Sequence, residues 1–266
     1  MDTISGELLH REEWNGDLVE IVVNDGLRSL FFASRFLQSS MSPDHPERLE
    51  LSYTRYMLLG LPALDSIERI LIVGIGAGSL VRYCHHHFPE SIIDAVDNSP
   101  LVIALARRYF LLPENDRVRI HCEDGLAFLA ATAADRRYDL ILVDAFDHRG
   151  MAANIYSTPF FMQCATVLAD EGMLSCNLFS GDAGRLDAIR ESIASCLDGQ
   201  IFVPVPDRGN AVILAFRHPV PWGRFDRSRE EWLAVEERFN LEFRAMLKVV
   251  RRQSRSLLQR LFPIFS

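Results

Sequence analysis

Residues 69–79 read RILIVGIGAGS, an uninterrupted apolar run that leads into three glycines separated by single residues. The apolar run predicts a buried β-strand, and the residues after Gly78 continue in a pattern typical of a helix. Glycine lacks a β-carbon, so the backbone at Gly74, Gly76 and Gly78 can turn sharply and approach a ligand closely. We therefore expect a strand, a ligand-binding turn and a helix in direct succession.

Four more apolar runs follow this turn, and a helical pattern lies between each run and the next. The predicted strands cover residues 91–97, 118–122, 140–145 and 172–179, and the predicted helices lie near 51–61, 79–87, 100–110, 125–133 and 158–168. A closing hairpin is predicted around residues 207–210. Near-continuous apolar strands that alternate with helices indicate a parallel sheet covered on both faces. The sequence therefore predicts an α/β protein with a Rossmann-like, mostly parallel sheet of the class I methyltransferase type.

Different patterns flank this core. Around Asp25 and Gly26, β-branched and aromatic residues alternate with polar ones, and such a D-G step predicts a hairpin. We predict a small N-terminal antiparallel β-domain over residues 1–50, the Rossmann-like domain over 51–220 and a helical tail over 221–266. The tail is acidic at first and basic later. Packing on its own domain or on a second subunit is the favoured interpretation of the tail, and contact with an anionic surface is the alternative.

The composition of the 266 residues is that of an ordinary globular protein, with 48% hydrophobic residues and a formal net charge of −8. This charge argues against nucleic-acid binding, because phosphate contacts need lysine and arginine. The N-terminus is unlike a signal peptide, and no apolar run approaches the ~20 residues of a membrane span. Five scattered cysteines without a C-x-x-C pair indicate a reducing compartment. We expect a cytoplasmic homodimer with no membrane segment, no nucleic-acid partner and no metal site.

Acidic residues follow the second and third of the predicted core strands. Asp97 stands 23 residues after Gly74, where this fold class places an acid that binds ribose. The residues NSP that come next also predict the start of a helix, which Asp97 could help to cap. Asp124, beside Gly125, either accepts a hydrogen bond from an adenine amine or caps the helix that follows, and both interpretations stay open.

Asp144 and Asp147 follow the apolar run LILV, at the carboxyl end of a predicted central strand. Parallel α/β proteins bind their ligands at this end of the sheet. Two carboxylates so close together are costly to bury unless a cation lies beside them. A protonated amine or a sulfonium of the S-adenosylmethionine kind is such a cation. The G-x-G-x-G spacing at residues 74–78 also favours a sulfonium nucleoside over the dinucleotides that bind to G-x-G-x-x-G turns.

Five stretches of the chain resemble, in the same order, the core of the polyamine aminopropyltransferases, the spermidine synthase family. They are VGIGAGSLVR, AVDNSPLVIALARRYF, CEDGLAFL, YDLILVDAFD and IYSTPFFMQCATVLADEGML, within a similarity that covers about residues 51–216. Members of this family transfer an aminopropyl group from decarboxylated S-adenosylmethionine to a diamine such as putrescine and release methylthioadenosine. The resemblance implies the same reaction here, with a small-molecule amine as the partner.

The resemblance also implies roles for individual residues. It implies that the nucleoside is held by residues of the N-terminal sheet, the glycine turn and two strand ends, namely Gln38, Gly74, Gly76, Ala77, Gly78, Asp97, Asn98, Asp124 and Gly125. The implied catalytic residues are Asp144, which would orient and help to deprotonate the attacking amine, and Asp147, which would bind the diamine. Tyr53 and Tyr156 would line the amine pocket.

Three positions depart from the family pattern. Ala77 stands where the family's glycine loop carries an aspartate for the aminopropyl ammonium, Arg55 stands where the family has an acid, and His148 replaces a proline. Loss of the aspartate removes a charge-assisted contact, and it also removes the repulsion that would exclude a donor with its own carboxylate. We therefore predict that the protein tolerates S-adenosylmethionine better than a typical member does. An S-adenosylmethionine-dependent methyltransferase and a non-catalytic nucleoside-binding homologue stay open as alternatives.

Overall fold

A computed structural model of the protein describes residues 6–14, 16–32, 36–133, 135–147, 150–206 and 209–261. The backbone alone is described at Asp17, Phe36, Asp147, Gly150 and 253–261. His148, one of the three departures from the family pattern, and residues 207–208 of the predicted closing hairpin lie outside the described residues.

The described strands and helices alternate along most of the chain. The strands are β1 (Glu7–Trp14), β2 (Asp17–Asn24), β3 (Leu27–Phe32), β4 (Phe36–Met41), β5 (Arg69–Val73), β6 (Ile92–Asp97), β7 (Val118–Cys122), β8 (Tyr138–Val143), β9 (Phe146–Asp147), β10 (Gly150–Met151), β11 (Leu168–Phe179), β12 (Gly199–Pro204) and β13 (Asn210–Phe216). The helices are α1 (Ser52–Met57), α2 (Ser79–His87), α3 (Pro100–Tyr109), α4 (Gly125–Ala131), α5 (Thr158–Val167), α6 (Ala183–Ala194), α7 (Arg229–Phe239) and α8 (Phe243–Leu261). Short 3₁₀ turns cover Leu61–Ala63 and Trp222–Phe225.

The central sheet has seven strands in the order β12-β13-β11-β8-β5-β6-β7. Its strands from β11 to β7 run parallel, and β13 runs antiparallel to both β11 and β12. Successive apolar residues of each strand pack on opposite faces, so that Ile70 and Ile72 belong to one core cluster and Leu71 and Val73 to the other. The predicted fold class, a mostly parallel Rossmann-like sheet covered on both faces, is confirmed.

The helix predicted over residues 51–61 is shorter than expected. It ends at Met57, and the 3₁₀ turn at Leu61–Ala63 follows it. Pro62 has no N–H and fixes its own backbone angle, which prevents a continuous helix here. A β-carbon at Gly60 would come 2.1 Å from the sulfur of Met173 on β11, so this glycine lets the chain pack closely on the sheet. The tight packing holds α1 over the sheet.

The hairpin predicted around Asp25 and Gly26 forms β2 and β3 of an N-terminal sheet that has four strands. The strand order is β1-β2-β3-β4 and every neighbouring pair is antiparallel, with β1 as an edge strand. The residues ELLHREEW of β1 are mostly exposed, so they lack the apolar alternation that identifies a strand. Arg11 of β1 forms an ion pair of 2.6 Å with Glu20 of β2, which is 3% exposed.

One face of this N-terminal sheet covers the glycine turn. Val19, Ile21, Leu30 and Met41 form a buried cluster with Ala77 of the turn and with Leu105 and Phe110 at α3. The two sheets therefore pack together at the glycine turn through Ala77.

The C-terminal helices pack on the central sheet. Helix α7 begins with a capping box in which Ser228 accepts a hydrogen bond from the N–H of Glu231, and the Glu231 carboxylate accepts one from the N–H of Ser228. Trp232 and Phe239 of α7 and Phe243 of α8 are buried in the core cluster on one face of the sheet. This packing supports the favoured interpretation of the tail as far as residue 250. Among the described helices, none has the length and apolar content needed to cross a bilayer.

Arg82 on α2 ties the glycine turn to its surroundings. Its side chain is only 4% exposed, and burial lowers the pKa of the guanidinium to about 10. The guanidinium donates to the carbonyl of Pro46 at 2.7 Å, to that of Phe110 at 2.6 Å and to that of Ala77. One cation thus satisfies carbonyl groups from three segments that meet around the turn.

Replacement of Arg82 by methionine is expected to lower the free energy of unfolding by about 3 kcal/mol, because each buried carbonyl without a donor costs on the order of 1–3 kcal/mol. Urea denaturation at pH 7 measures this change. Arg107→Met is the matched control: Arg107 is exposed and paired with Glu114, and it should lose less than about 1 kcal/mol. Equal losses in the two variants would contradict the role of Arg82.

Candidate active site

Four neighbouring strands end at the same edge of the central sheet. Backbone hydrogen bonds continue past the strand ends, from the N–H of Gly74 to the Val96 carbonyl at 2.8 Å and from the N–H of Asp144 to the Val73 carbonyl at 2.8 Å. The N–H of Glu123 donates to the Asp97 carbonyl at 3.1 Å. The carboxyl ends of β7, β6, β5 and β8 are therefore joined, and the connections reverse direction beside β5. Parallel α/β sheets bind their ligands at such a position.

The structure explains the presence of glycine at the three positions of the turn in different ways. All adopt positive φ, of 92° at Gly74, 52° at Gly76 and 78° at Gly78. A β-carbon at Gly74 would lie 2.2 Å from the carbonyl oxygen of Asp144, and one at Gly78 would lie 2.7 Å from the Leu112 side chain. A β-carbon at Gly76 would meet nothing within 4 Å. Packing thus requires Gly74 and Gly78, whereas Gly76 faces open space that a ligand can occupy.

Asp97 holds the glycine turn and the start of α3 together. One carboxylate oxygen accepts the N–H of Ile75 at 2.9 Å and the other accepts the N–H of Ser99 at 2.9 Å. Burial raises the pKa of Asp97, and hydrogen bonds from backbone N–H groups, including that of Gly76, lower it. A carboxylate has about four lone-pair positions, so these three donors leave room for one further hydrogen bond. The neighbouring Asn98 is exposed at the same edge. Ribose binding by Asp97 and nucleoside binding by Asn98 stay predictions.

Asp124 is the N-cap of α4, as one of the two interpretations predicts. Its Oδ1 accepts the N–H groups of Leu126 and Ala127, both at 3.0 Å, and its Oδ2 accepts a hydrogen bond from Asn154. A β-carbon at Gly125 would lie 2.7 Å from Val73, so close packing on β5 accounts for this glycine. The adenine contact of the pair stays a prediction.

Asp144 receives two side-chain hydrogen bonds where β8 ends. Tyr53 on α1 donates to its Oδ2 at 3.0 Å, and Asn177 on β11 donates to its Oδ1 at 2.8 Å. Desolvation raises the pKa of Asp144, while the hydrogen bonds from Asn177 and Tyr53 lower it. The result is a partly buried carboxylate that is held in a defined orientation, on a residue whose N–H donates to the Val73 carbonyl at the end of β5.

Gln38 comes close to this carboxylate through Tyr53, whose hydroxyl lies 3.3 Å from the Gln38 carbonyl. The pairing of β3 with β4 passes from Leu30–Ser39 to Phe31–Leu37, so Gln38 has no partner and forms a β-bulge. A bulge redirects a side chain out of the regular alternation and is common beside active sites. Ser39, the next residue, contacts Ser79 of α2 at 3.0 Å between hydroxyl oxygens.

Tyr156 lies beneath the site. It is 7% exposed, and its hydroxyl donates to the Asn177 carbonyl at 2.7 Å. This hydrogen bond supports β11 next to Asp144, and the contact with an amine that the resemblance implies stays a prediction.

Three further positions are Asp147 and Arg55, on the predicted amine side of the site, and Ala77 in the glycine turn. The backbone of Asp147 pairs with Gly150 in the β9-β10 hairpin, and its side chain lies outside the described residues. Arg55 donates to the Glu50 carbonyl at 3.3 Å, at the start of its own helix. Ala77 is fully buried, and its methyl group packs in the apolar cluster under the N-terminal sheet.

Three further residues belong to this region although no sequence motif marks them, namely Asn177, Asn210 and Arg82. Asn177 is the one amide in the mostly apolar stretch GMLSCNLF, at the carboxyl end of a parallel strand. That position is a signal of a functional polar group.

One cluster of three potential metal ligands is found in the described part of the chain. Asp170, Glu171 and His218 are exposed and bring one ligand atom each within 4.8 Å of one another. They lie near the start of β11 and past the end of β13, at the opposite edge of the sheet from Asp144. The cluster is therefore separate from the candidate active site.

Comparison with known proteins agrees with this geometry. The family model described as the spermine/spermidine synthase domain matches residues 50–178. The chain is 34% identical over 227 residues to a polyamine aminopropyltransferase of Chromobacterium violaceum, and the matched region covers 85% of this chain and 86% of that protein. It is 28% identical over 181 residues to the human eEF1A lysine and N-terminal methyltransferase, covering 61% of this chain and 26% of that protein. A crystal structure of a probable spermidine synthase from Corynebacterium glutamicum matches with a TM-score of 0.69 and 19% identity over 81% of each chain, which establishes the fold alone.

Proposed function

Since the chain belongs to the spermine/spermidine synthase family, we propose that it transfers an aminopropyl group from decarboxylated S-adenosylmethionine to a small amine such as putrescine. The observation that carries the proposal is the carboxylate of Asp144, which Tyr53 and Asn177 orient at the end of β8 beside the glycine turn. A site of this kind suits an acid–base step next to a bound nucleoside.

The chemistry requires a neutral amine nitrogen. Alkylamines are largely protonated at pH 7, so the acceptor must lose a proton before or during its attack. Asp144 accepts this proton and holds the nitrogen in line with the carbon beside sulfur. A nitrogen–carbon bond forms as the carbon–sulfur bond breaks, and the electron pair of the broken bond passes to sulfur. The products are the alkylated amine and neutral methylthioadenosine.

The nucleoside would lie along the ends of β5, β6 and β7. Gly76 offers open space beside the turn, and the Asp97 carboxylate keeps one lone-pair position that can accept a ribose hydroxyl. Asp124 would accept a hydrogen bond from adenine in addition to capping α4. Gln38 would reach the nucleoside from the bulge on β4. Asp147 and Tyr53 would bind the diamine, whose ammonium groups complement their oxygens.

Methyl transfer from S-adenosylmethionine is a second candidate, and Ala77 favours it. The methyl group of Ala77 is packed against apolar side chains, so no carboxylate from this position can pair with an aminopropyl ammonium or repel a donor's carboxylate. The similarity to a human methyltransferase supports the same candidate. In this case the product would be S-adenosylhomocysteine.

Product analysis separates these candidates. The purified full chain is incubated with either donor and with putrescine, cadaverine, agmatine or spermidine, and the nucleoside products are identified by mass spectrometry. We expect methylthioadenosine from the decarboxylated donor. Formation of S-adenosylhomocysteine would favour methyl transfer, and nucleoside binding without any product would favour a non-catalytic homologue. The same assay with EDTA tests the prediction that no metal is needed. The homodimer and the cytoplasmic location stay predictions.

A further inference from the structure

Three polar side chains form a row across β8, β11 and β13. Cys176 pairs with Val143 in the parallel ladder, so the next residues, Asn177 and Asp144, are neighbours on adjacent strands. In the antiparallel ladder Phe179 pairs with Asn210, which makes Asn210 a diagonal neighbour of Asn177 on the same face. The row runs from the partly exposed Asn210 through Asn177, which is 1% exposed, to Asp144.

Hydrogen bonds connect the members of this row. The Nδ2 of Asn210 donates to the Oδ1 of Asn177 at 3.0 Å, and the Nδ2 of Asn177 donates to the Oδ1 of Asp144 at 2.8 Å. The main-chain carbonyl of Asn177 accepts the hydroxyl of Tyr156 at 2.7 Å, which fixes the strand at this point.

The direction of these hydrogen bonds depends on the charge of Asp144. An ionised carboxylate only accepts hydrogen bonds, whereas an amide has a donor end and an acceptor end. Asn210 donates to the oxygen of Asn177, so the amide nitrogen of Asn177 faces Asp144. The reversed amide would place two acceptor oxygens together unless Asp144 carried a proton. The observed arrangement therefore favours the anion.

We propose that Asn177, oriented by Asn210, is a positioning residue that keeps Asp144 ionised and fixes the plane of its carboxylate. The consequence for catalysis rests on the proposed function, in which Asp144 accepts the proton of the attacking amine. With Asn177 on Oδ1 and Tyr53 on Oδ2, the remaining lone pairs of Asp144 have defined directions for the amine nitrogen. The lowering of the pKa of Asp144 by the Asn177 hydrogen bond agrees with this role.

Carbon-13 NMR of protein labelled at the aspartate side-chain carboxyl measures the ionisation of Asp144 without any need for turnover, and the spectrum of Asp144→Asn assigns its signal. In Asn177→Leu, which keeps a similar size and removes the donor, we expect the Asp144 titration midpoint to rise by about one pH unit or more. In Asn210→Leu a smaller rise is expected, because Asn177 keeps its amide but loses its orientation. Ser175→Ala is the matched control, since Ser175 is buried on the same strand and face with no partner among the described residues.

An unchanged Asp144 titration midpoint in Asn177→Leu would overturn the proposal. A shifted midpoint in Asn177→Leu together with an unchanged midpoint in Asn210→Leu would remove Asn210 from the proposal. If Asn177→Leu does not fold, the partly exposed Asn210 variant decides the question. In the kinetic assay the acid limb of the kcat/KM profile should move with the NMR midpoint. Absence of methylthioadenosine from the wild-type protein would contradict the proposed function separately, because the NMR midpoints do not depend on turnover.

Discussion

Asp144→Asn is expected to lower kcat by about a thousandfold, because a positioned general base contributes roughly 10²–10⁴-fold to proton transfer. Asparagine is nearly isosteric with aspartate and can still bond with Tyr53 and Asn177, so the site should keep its shape. Affinity for methylthioadenosine should therefore stay within about tenfold, or ~1.4 kcal/mol. Single-turnover kinetics and calorimetry measure the two quantities. Asp170→Asn, an exposed change at the opposite edge of the sheet, should affect neither. A variant of undiminished rate would exclude Asp144 as the base.

The same substitution should change stability in a pH-dependent way. Desolvation raises the pKa of Asp144 above that of an unfolded chain, so the unfolded state loses this proton first as the pH rises. The contribution of Asp144 to stability is fully present below the unfolded pKa and is lost as the pH rises through the folded pKa. We thus expect Asp144→Asn to be more stable than the wild type at pH 7. The difference should disappear below about pH 3.9, where unfolded aspartate is protonated. Denaturant unfolding at both pH values measures it.

Gly74→Ala should have the second largest effect, and it should lower both the free energy of unfolding and the catalytic activity. Its φ of 92° is unfavourable for alanine, and the added methyl group would lie 2.2 Å from the Asp144 carbonyl oxygen. Either the turn or the end of β8 must move, at a cost of about 3 kcal/mol or more. Because Asp144 moves with β8, turnover should be lost too.

Gly76→Ala is the matched control for this prediction. It also has positive φ, at 52°, but its added methyl group meets no atom within 4 Å. We expect a loss of only about 1–2 kcal/mol from the left-handed backbone, together with weaker binding of methylthioadenosine if the nucleoside occupies that space. Equal unfolding free energies for the two variants would contradict the packing role assigned to Gly74.

The polar edge strand β1 and the bulge at Gln38 show where pattern reasoning fails. Strand β1 has few buried residues, so its place at the edge of a sheet depends on pairing with β2, including the Arg11–Glu20 ion pair, and not on its own apolar periodicity. The bulge exists because β3 and β4 pair with unequal numbers of residues. Both features are properties of two strands together, and neither strand encodes them alone.

The sequence itself determined three features of this protein. They are the strand–turn–helix unit at residues 69–87, the order of alternating strands and helices, and the acids at the strand ends. Apolar periodicity, glycine spacing and the common edge shared by parallel strand ends are local or general rules, so they can be applied before any contact is known. The family resemblance implied binding and catalytic roles for the same strand-end acids, Asp97, Asp124 and Asp144.

Only the tertiary structure decided which groups surround Asp144 and which backbone groups the strand-end acids bind. Tyr53, Asn177 and Asn210 are far apart in the chain, and they meet because β8, β11 and β13 are neighbours under α1. Asp97 and Asp124 accept hydrogen bonds from backbone N–H groups. Hydrogen bonds of this kind depend on distances of about 3 Å between atoms, which follow from the packing of whole elements and leave no periodic trace in the sequence.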